Sequence, residues 1–487
     1  MKLVICEKPS VAKSIASALG VTSRADGCFE GNGLIVSWCV GHLVSPMDAA
    51  GYDPGYKKWR YDDLPILPEP FRYVLVKDKE DAFQNLKCLM DREDVTELVN
   101  ACDAGREGEL IFRLVYEMAG CTKPFSRLWI SSMEDAAIRD GFEHLRPGKD
   151  YDRLYEAAVC RAGADWLVGI NATRLFSVLY GVTLNVGRVM SPTLALLVQR
   201  EAEIQAFTSR PFYVPEITCG GLTASGDKLA EKQAAETIRR ECDGQTASVL
   251  SVEKQVKTVQ PPRLYDLTTL QRECNRIYGY TAQISLVDQV TPGELQEVTR
   301  ALDESDLILW LRDNKPFGKG CLEEPDIDRV TDGSKVTDHH AIIPTVEIAR
   351  TDLSALPSGE RDVLALIAMR LLCATGQTHR FEAVTVVLDC AGHSFTAKGK
   401  TVLQAGWKEI ERLCRMGLKQ AELEKEDPAD AALPELTQGQ TFEPVAAGVR
   451  EGKTSPPKHY TEDSLLAAME TAGAADAPED AERKGLG

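Results

Sequence analysis

The segment ELVNACDAGREGELIFRLVYEMAG, from Glu97 to Gly120, decides the fold class. Its first part, Glu97 to Asp103, is a short apolar run of the kind that forms a buried strand. The part from Gly108 to Gly120 has the apolar spacing of a helix and ends at a glycine, a common helix terminus. A strand followed at once by a helix is the repeating unit of α/β domains with largely parallel sheets.

The same alternation of strand and helix patterns runs through the first 150 residues. We predict further strands at Leu3 to Glu7 and Phe125 to Ser131, a helix that continues to Leu19 with Ser10 as its N-cap, a helix from Lys79 to Arg92, and a hairpin that turns at Gly31-Asn32-Gly33. In open α/β sheets, chemistry gathers at the carboxyl ends of the strands. Glu7 and Asp103 stand at two such ends.

Composition limits the class of protein. The 487 residues allow two to four domains, and 44% apolar with 27% charged residues fits globular domains with sizeable cores. No run of about 18 apolar residues exists, so we expect no membrane span. Glu7 interrupts any signal-peptide pattern, so we expect a cytoplasmic protein. The 14 cysteines form no CxxC pair, which argues against a zinc ribbon or a disulfide framework.

The net charge of −18 taken alone argues against a nucleic-acid partner. The charge is uneven, however. Residues 421 to 487 contain 15 acidic and 6 basic residues, a net of −9 and half of the excess. A local basic groove therefore remains compatible with the other 420 residues.

Carboxylates at two neighbouring strand ends can share one Mg²⁺, which takes one or two protein carboxylates together with water and phosphate oxygens. Glu107 follows Asp103 by four residues at the start of the predicted helix, and Lys8 and Arg106 supply positive charge for a phosphate. The alternative reading is that Asp103 and Glu107 are solvated acids at a helix start, where negative charge is mildly favourable.

EKPSVAKSIA together with DAGREGELIFR resembles the TOPRIM domain of type IA DNA topoisomerases, and of the bacterial topoisomerase III group in particular. The likeness covers nearly the whole chain in the family's order. It continues through WCVGHLV, KKWRYDDLPILP, RLWISSM, VGINATRLFS, NVGRVMSPTLALLVQREAEI, PPRLYDLTTLQRECNRIYGYTA, VTDHHAIIPT and KHYTEDSLLAAMETAG.

The resemblance implies a function. The family breaks one strand of single-stranded or negatively supercoiled DNA by tyrosine attack on a phosphodiester, passes another strand through the break and rejoins the ends without ATP. By motif position it implies catalytic Glu7, Lys8 and His339, and a Mg²⁺ site of Glu7, Asp103 and Glu107. The DNA-contacting positions that it implies are His42, Trp59, Arg161, Asp165, Arg174, Asn185, Val186, Gly187, Arg188, Val189 and Met190. The sequence does not identify a partner helicase.

Each of these side chains also has an ordinary structural interpretation. Trp59 could belong to a core, Arg174 could pair with a surface carboxylate, and His42 or His339 could be a buried, hydrogen-bonded histidine.

The chain departs from the family pattern at three places. The family's DxDxE reads Asp103-x-Gly105-x-Glu107, which removes one potential ligand. The family's nucleophile segment, expected between YGYTA and DHHAIIPT, is not found, since no tyrosine occurs between Tyr280 and Tyr460 and residues 285–330 read differently. Tyr278 and Tyr280 match packing positions. The chain stops at RKGLG where family members continue, so we expect a truncated helical domain.

The implied architecture is a multi-domain α/β and α+β clamp. We predict a TOPRIM domain at 1–150, a helical DNA-groove domain at 151–210 plus 405–487, a β-rich arch at 211–265 plus 360–404, and a gate domain at 266–359. The clearest arch strands are VPEITC and ASVLSVEKQV, and the chain returns to the arch near Phe381.

Three functions remain open from the sequence. The first is a type IA topoisomerase whose cleavage step lacks an identified nucleophile. The second is a non-catalytic protein that binds single-stranded DNA. The third is another TOPRIM enzyme, such as a primase or nuclease, against which the motifs after Tyr151 count.

Overall fold

The computed structural model describes residues 1–130, 133, 135–281, 304–313, 325–330, 341–344, 348, 355–417 and 432–473. The chain divides into two compact units, the first formed mainly by Met1–Leu194 and the second by Ala195–Ser334 with Ala341–Gly485. No helix in these described ranges is long and apolar enough to cross a membrane.

The first unit contains an α/β domain and the long helix that follows it. Its strands are β1 (Lys2–Cys6), β2 (Ser23–Ala25), β3 (Cys28–Gly31), β4 (Leu34–Trp38), β5 (Val44–Pro46), β6 (Tyr73–Leu75), β7 (Glu97–Ala101), β8 (Phe125–Arg127) and β9 (Arg146–Pro147). Its helices are α1 (Pro9–Ala18), α2 (Ala49–Tyr52), α3 (Glu80–Asp91), α4 (Arg106–Met118), α5 (Asp135–Glu143) and α6 (Asp152–Tyr180), and α7 (Met190–Ala206) begins at its end.

Seven of these strands form one sheet in the order β2-β3-β4-β1-β7-β8-β9. β1 pairs in parallel with β4 and with β7, and β7 pairs in parallel with β8. One face packs against α3 and α4 through residues such as Phe83 and Leu110, and the other against α1 and α5 through Ile15 and Ile138. Two-sided burial explains why β1 and β7 are almost uninterrupted apolar runs.

The structure confirms the predicted hairpin. β3 and β4 pair antiparallel around Asn32 and Gly33, which both have positive φ, as a tight two-residue turn requires. The predicted N-cap at Ser10 is wrong. Helix α1 starts at Pro9 with Lys8 as its N-cap, because proline is already in helical conformation at the first position of a helix.

The second unit contains an antiparallel sheet. Its elements are β10 (Pro211–Cys219), β11 (Leu222–Ser225), α8 (Lys232–Cys242), β12 (Ala247–Val259), α9 (Leu267–Tyr278), α10 (Glu304–Asp313), α11 (Ser358–Ala374), β13 (His379–Cys390), β14 (His393–Gln404), α12 (Trp407–Gly417), β15 (Thr441–Phe442), β16 (Ala446–Lys453) and α13 (Glu462–Thr471).

The order of this second sheet is β15-β12-β13-β14-β11-β10-β16. The antiparallel pairing of β12 with β13 agrees with a chain that goes out and comes back. β16 pairs with β10 along its whole length, although sequence analysis assigned that segment to the helical domain. The backbone hydrogen bonds of β10 at this edge therefore come from a segment more than 200 residues away in the sequence.

Leu3 offers a test of the first sheet, because its side chain is fully buried in β1. We expect Leu3→Ala to lower local stability by about 2–5 kcal/mol through lost contacts and a residual cavity. Hydrogen exchange of the β1 and β7 amides measures the change. Leu67→Ala, at an exposed leucine, is the matched control and should stay within about 0.5 kcal/mol. Equal exchange in both variants would contradict the assigned core.

Candidate active site

Glu7 and Asp103 lie side by side where β1 and β7 end. The parallel register places Cys6 opposite Ala101, so the residues that follow the two strands emerge at one sheet edge. The two carboxyl groups are within hydrogen-bonding reach, and the Glu7 side chain is 14% exposed. Burial raises the pKa of Glu7, and the negative charge of Asp103 raises it further. Lys8 opposes this shift with its ammonium group 3.9 Å from the Glu7 carboxylate.

A fully buried arginine fixes the backbone of the Asp103 turn. Nη1 of Arg127 donates hydrogen bonds to the carbonyl oxygens of Asn100 (3.1 Å), Cys102 (2.7 Å) and Leu128 (2.8 Å). Nη2 donates to the carbonyl oxygen of Asp103 at 2.6 Å. Backbone carbonyls just past a strand end lack ladder partners, and one guanidinium satisfies several of them. Arg127 therefore sets the position of Asp103 without contacting its carboxylate.

Glu109 is the buried counter-ion of this arginine. Its Oε2 lies 3.1 Å from Arg127 Nε, an ion pair without hydrogen-bond geometry, and accepts a hydrogen bond from Asn100 Nδ2 at 2.9 Å. Its Oε1 accepts from Arg113 Nε at 2.8 Å. Burial lowers the pKa of Arg127, and the charge of Glu109 opposes that effect. Removing one charged side chain from this cluster would thus leave another one buried without a counter-charge.

Close backbone packing explains why residue 108 is a glycine. A Cβ built at this position would lie 2.1 Å from the carbonyl oxygen of Asp103. The first turn of α4 and the Asp103 turn can approach each other this closely only because residue 108 has no side chain. The second glycine of DAGREGE, Gly108, is therefore required by packing at the site.

Cysteines directly precede both carboxylates. Cys6 and Cys102 are buried at the ends of their strands. Burial raises the pKa of the Cys6 thiol, and a hydrogen bond with Cys39 together with burial raises that of Cys102. Both thiols therefore stay protonated and act as small apolar residues.

Glu107 does not join the carboxylate pair. Its side chain is 65% exposed in the first turn of α4, and its Oε1 lies 2.5 Å from Nε2 of His42. Lys79 holds the backbone around His42, since its ammonium donates to the carbonyl oxygens of Val40 (2.7 Å) and His42 (3.0 Å). Within the described residues, no group of three His, Cys, Asp or Glu side chains is arranged to hold a metal ion.

Glu7 and Asp103 nevertheless fit a divalent cation. They are two hard oxygen donors held in contact despite their mutual repulsion, and Mg²⁺ commonly takes one or two protein carboxylates plus water and phosphate oxygens. Of the predicted metal set, the structure brings these two together and leaves Glu107 beside His42.

Several predicted DNA-contacting residues also lie together. A cavity of about 250 Å³ is lined by side chains that include His42, Glu107, Arg161 and Asp165. Arg188 donates from Nε to Asp165 Oδ1 at 2.6 Å, which ties the segment Asn185–Met190 to α6. Thr173 Oγ1 accepts from the amide of Val186 at 2.9 Å and secures the same segment, which includes Gly187 and Val189.

Arg174 is a buried residue of the first unit. Its side chain is 3% exposed and its guanidinium lies over the ring of Trp59. The DNA contact that the family resemblance implies for this residue stays a prediction.

The tyrosines of the YGY motif are engaged in packing. The ring centroids of Tyr278 and Tyr280 are 5.2 Å apart and nearly parallel. Tyr280 donates to Asp362 Oδ2 at 2.8 Å, and burial with that hydrogen bond raises the pKa of Tyr280 to about 12. His339 and most of the altered segment 285–330, including residues 285–303 and 314–324, lie outside the described residues.

A family model described as DNA topoisomerase matches residues 149–287 and 301–487, and a Toprim domain model matches residues 2–133. The chain belongs to the type IA DNA topoisomerases. Its relatives include DNA topoisomerase 3 of Bacillus subtilis, 38% identical over 97% of this chain and 67% of that protein. The Bacillus licheniformis protein of the same name is 37% identical over the same shares.

Topoisomerase I from Thermotoga maritima has the same fold, with a TM-score of 0.67 and 22% identity over 96% of this chain and 75% of that one. The predicted family, multi-domain fold class and enzyme class are therefore confirmed. The residue roles and domain limits taken from the family stay predictions.

Glu109→Gln tests the buried ionic cluster. We expect it to destabilise the TOPRIM domain by about 3–5 kcal/mol, because it leaves Arg127 buried without a full counter-charge. Hydrogen exchange of the β7 amides and the midpoint of thermal unfolding measure the loss. Glu107→Gln, two residues away and exposed, is the control and should change stability by less than about 0.5 kcal/mol. Similar stabilities for both variants would contradict the role assigned to Glu109.

Proposed function

We propose that the chain carries out Mg²⁺-dependent, ATP-independent breakage, strand passage and rejoining of single-stranded DNA, and relaxes negatively supercoiled DNA. The observation that carries this proposal is the partly buried Glu7–Asp103 pair beside Lys8 in a member of this enzyme family. Bacterial cytoplasm, with chromosome or plasmid as substrate, is the expected setting.

Each residue has a role in this proposal. Lys8 binds the scissile phosphate as a point charge. Glu7 protonates the leaving 3′ oxygen, and a raised pKa suits a carboxyl group to proton donation near neutral pH. Asp103 and Glu7 would hold Mg²⁺, which when bound would neutralise phosphate charge, while Glu107 contacts His42. His339 acts near the nucleophile. The cavity with His42, Arg161 and Asp165 receives the strand. Arg188 donates to Asp165 beside it.

A second function is favoured by one specific observation. No tyrosine occurs between Tyr280 and Tyr460, the interval in which the family's nucleophile is expected. An aliphatic hydroxyl such as Thr291 is a poor substitute, because its alkoxide leaves far less readily than a phenolate when the break is resealed. A chain without the nucleophile would bind single-stranded DNA without cleaving it.

One assay separates the two functions. The protein is incubated with negatively supercoiled plasmid and Mg²⁺ without ATP, and covalent 5′-linked complexes are trapped on a labelled single strand. Relaxation with a trapped adduct supports the topoisomerase. Binding of the strand with neither supports the non-catalytic protein. Absence of binding at low salt contradicts both, because phosphate contacts are strongest there.

Asp103→Asn tests the metal role. We expect it to abolish Mg²⁺-dependent relaxation. We also expect Mg²⁺ binding, measured by titration calorimetry, to weaken by at least about 10- to 100-fold, which is the loss typical when a residue that only hydrogen-bonds to a metal ligand is replaced. Asp150→Asn, at an exposed aspartate of the same unit, is the control. Unchanged Mg²⁺ affinity in Asp103→Asn would remove Asp103 from the site.

A further inference from the structure

A short loop joins β4 to β5 and lies against the carboxyl end of β1. Residues 39–43, which we name the His42 loop, read CVGHL. Two backbone hydrogen bonds connect the loop to β1 and to the residue that follows it. The amide of Cys39 donates to the carbonyl oxygen of Cys6 at 2.8 Å, and the amide of Gly41 donates to that of Glu7 at 3.3 Å. The loop is therefore bonded directly to the backbone of one of the two paired carboxylate residues.

A lysine from outside the loop holds its middle. Lys79 is the N-cap residue of α3, and its Nζ donates to the carbonyl oxygens of Val40 at 2.7 Å and His42 at 3.0 Å. Between these two residues, Gly41 has a φ of +65°, a left-handed conformation that favours glycine. Hydrogen bonds from a charged donor are roughly twice as strong as neutral ones. This pair of bonds, which we name the Lys79 tether, thus fixes the backbone on both sides of Gly41.

The backbone that presents Lys79 is strained. Asp78, the preceding residue, has a φ of +66°, which is uncommon for residues other than glycine. Such conformations persist where the surrounding structure over-determines them, and they cluster at functional sites. Here the amide of Lys79 donates to the carbonyl oxygen of Val76 at 3.2 Å, and the amide of Val76 donates to that of Leu43 at 2.8 Å. The strained turn is therefore bonded to the end of the same loop that Lys79 holds.

The side chain that this tether positions is the imidazole of His42. Its Nε2 lies 2.5 Å from Oε1 of Glu107, whose side chain is 65% exposed. An exposed glutamate samples several rotamers, whereas a hydrogen bond to a fixed imidazole selects one of them. The first turn of α4 packs closely against the Asp103 turn, because a Cβ at residue 108 would lie 2.1 Å from the Asp103 carbonyl oxygen. Without His42, the Glu107 carboxylate would be free to add its negative charge near the Glu7–Asp103 pair.

We propose that Lys79 and His42 are positioning residues that hold Glu107 away from the Glu7–Asp103 pair, and that they thereby limit the number of carboxylates facing a divalent cation at this site. Lys79 acts through the backbone of the His42 loop, and His42 acts through its hydrogen bond to Glu107. With the tether in place, two carboxylates face the cation. The inference rests on the proposed function for its cation, Mg²⁺, and does not depend on strand cleavage.

The tether is tested in the full chain, without Mg²⁺ or DNA, by the ¹⁵N NMR signals of the His42 imidazole in protein with labelled histidines. His42→Ala assigns these signals by their loss. We expect Lys79→Met to shift them to the values of an imidazole without a carboxylate partner, because the loop is no longer held. Lys79→Arg, which keeps a cationic donor, should retain much of the parent pattern. Lys87→Met is the matched control, since Lys87 lies in the same helix and donates to the Ala119 carbonyl oxygen at 2.9 Å; it should leave the His42 signals unchanged.

Titration calorimetry with Mg²⁺ measures the consequence at the carboxylates. We expect Lys79→Met and His42→Ala each to tighten Mg²⁺ binding roughly 3- to 10-fold, because the released Glu107 carboxylate attracts the cation. The double variant Lys79→Met/His42→Ala should gain little more than either single variant, since both changes act on Glu107. Adding Glu107→Gln to either variant should cancel the gain. Glu107→Gln alone should bind Mg²⁺ like the parent chain, because His42 already withholds this carboxylate.

Three results would overturn the proposal: parental His42 signals in Lys79→Met, unchanged or weaker Mg²⁺ binding in His42→Ala, or a gain in affinity that survives Glu107→Gln. If Lys79→Met fails to fold, His42→Ala still tests the number of carboxylates, because it leaves the tether intact. A parent chain that relaxes no plasmid, but whose variants show these changes, would contradict the proposed cleavage and leave the positioning role standing. Plasmid relaxation by the parent together with parental Mg²⁺ affinity in every variant would do the reverse.

Discussion

Two carboxyl groups, Glu7 and Asp103, are held in contact at the ends of paired parallel strands. This contact costs free energy, and the surrounding residues of the TOPRIM domain keep the two groups in place. Like charges at hydrogen-bonding distance repel, and partial burial of Glu7 increases the penalty. Only a rigid backbone keeps the groups together. The β1–β7 register provides the first constraint, and the two-sided core of the sheet prevents either strand from sliding.

The second constraint comes from buried charge. Arg127 binds the carbonyl oxygens past the end of β7, and its charge is compensated by Glu109, which also pairs with Arg113. Such a cluster contributes little net stability compared with apolar side chains of the same volume. Its contribution is geometric, because a guanidinium with fixed donor directions positions several carbonyl groups at once. The repulsion between the two carboxylates is thus opposed by a hydrogen-bonded ionic network. Removing one member of that network leaves the others without their partners.

Much of the fold could be read from the sequence. The apolar runs ending at Glu7 and Asp103 predicted adjacent strand ends, because parallel strands bring their carboxyl ends to one edge. The Asn32–Gly33 turn was visible from its residue types. Arg127 and Glu109 were missed as a pair, although a charged residue inside each apolar run was the available signal. Their partnership joins α4 to β8, and local patterns contain no information about such contacts.

Other features of the structure also depend on contacts between residues far apart in the sequence. β16 joins the second sheet through pairing with a distant strand, which an exposed, alternating segment does not reveal. The burial of Arg174 depends on the segment around Tyr56, whose carbonyl oxygen accepts from its guanidinium, and no local pattern reveals that contact. Glu107 follows Asp103 at helical spacing, yet its carboxylate contacts His42, which lies in the loop before β5.

The cysteines next to the two carboxylates affect the chemical durability of the domain. Oxidants and alkylating agents react with thiolates, and the thiols of Cys6 and Cys102 are both buried and held protonated. While β1 and β7 remain paired, oxidative damage is directed to exposed cysteines such as Cys88 and Cys160. Once the strand ends separate, a sulfenic acid or a mixed disulfide at residue 6 or 102 would prevent them from closing again. A brief opening under oxidative stress would thereby keep the site disrupted until the thiol is reduced again.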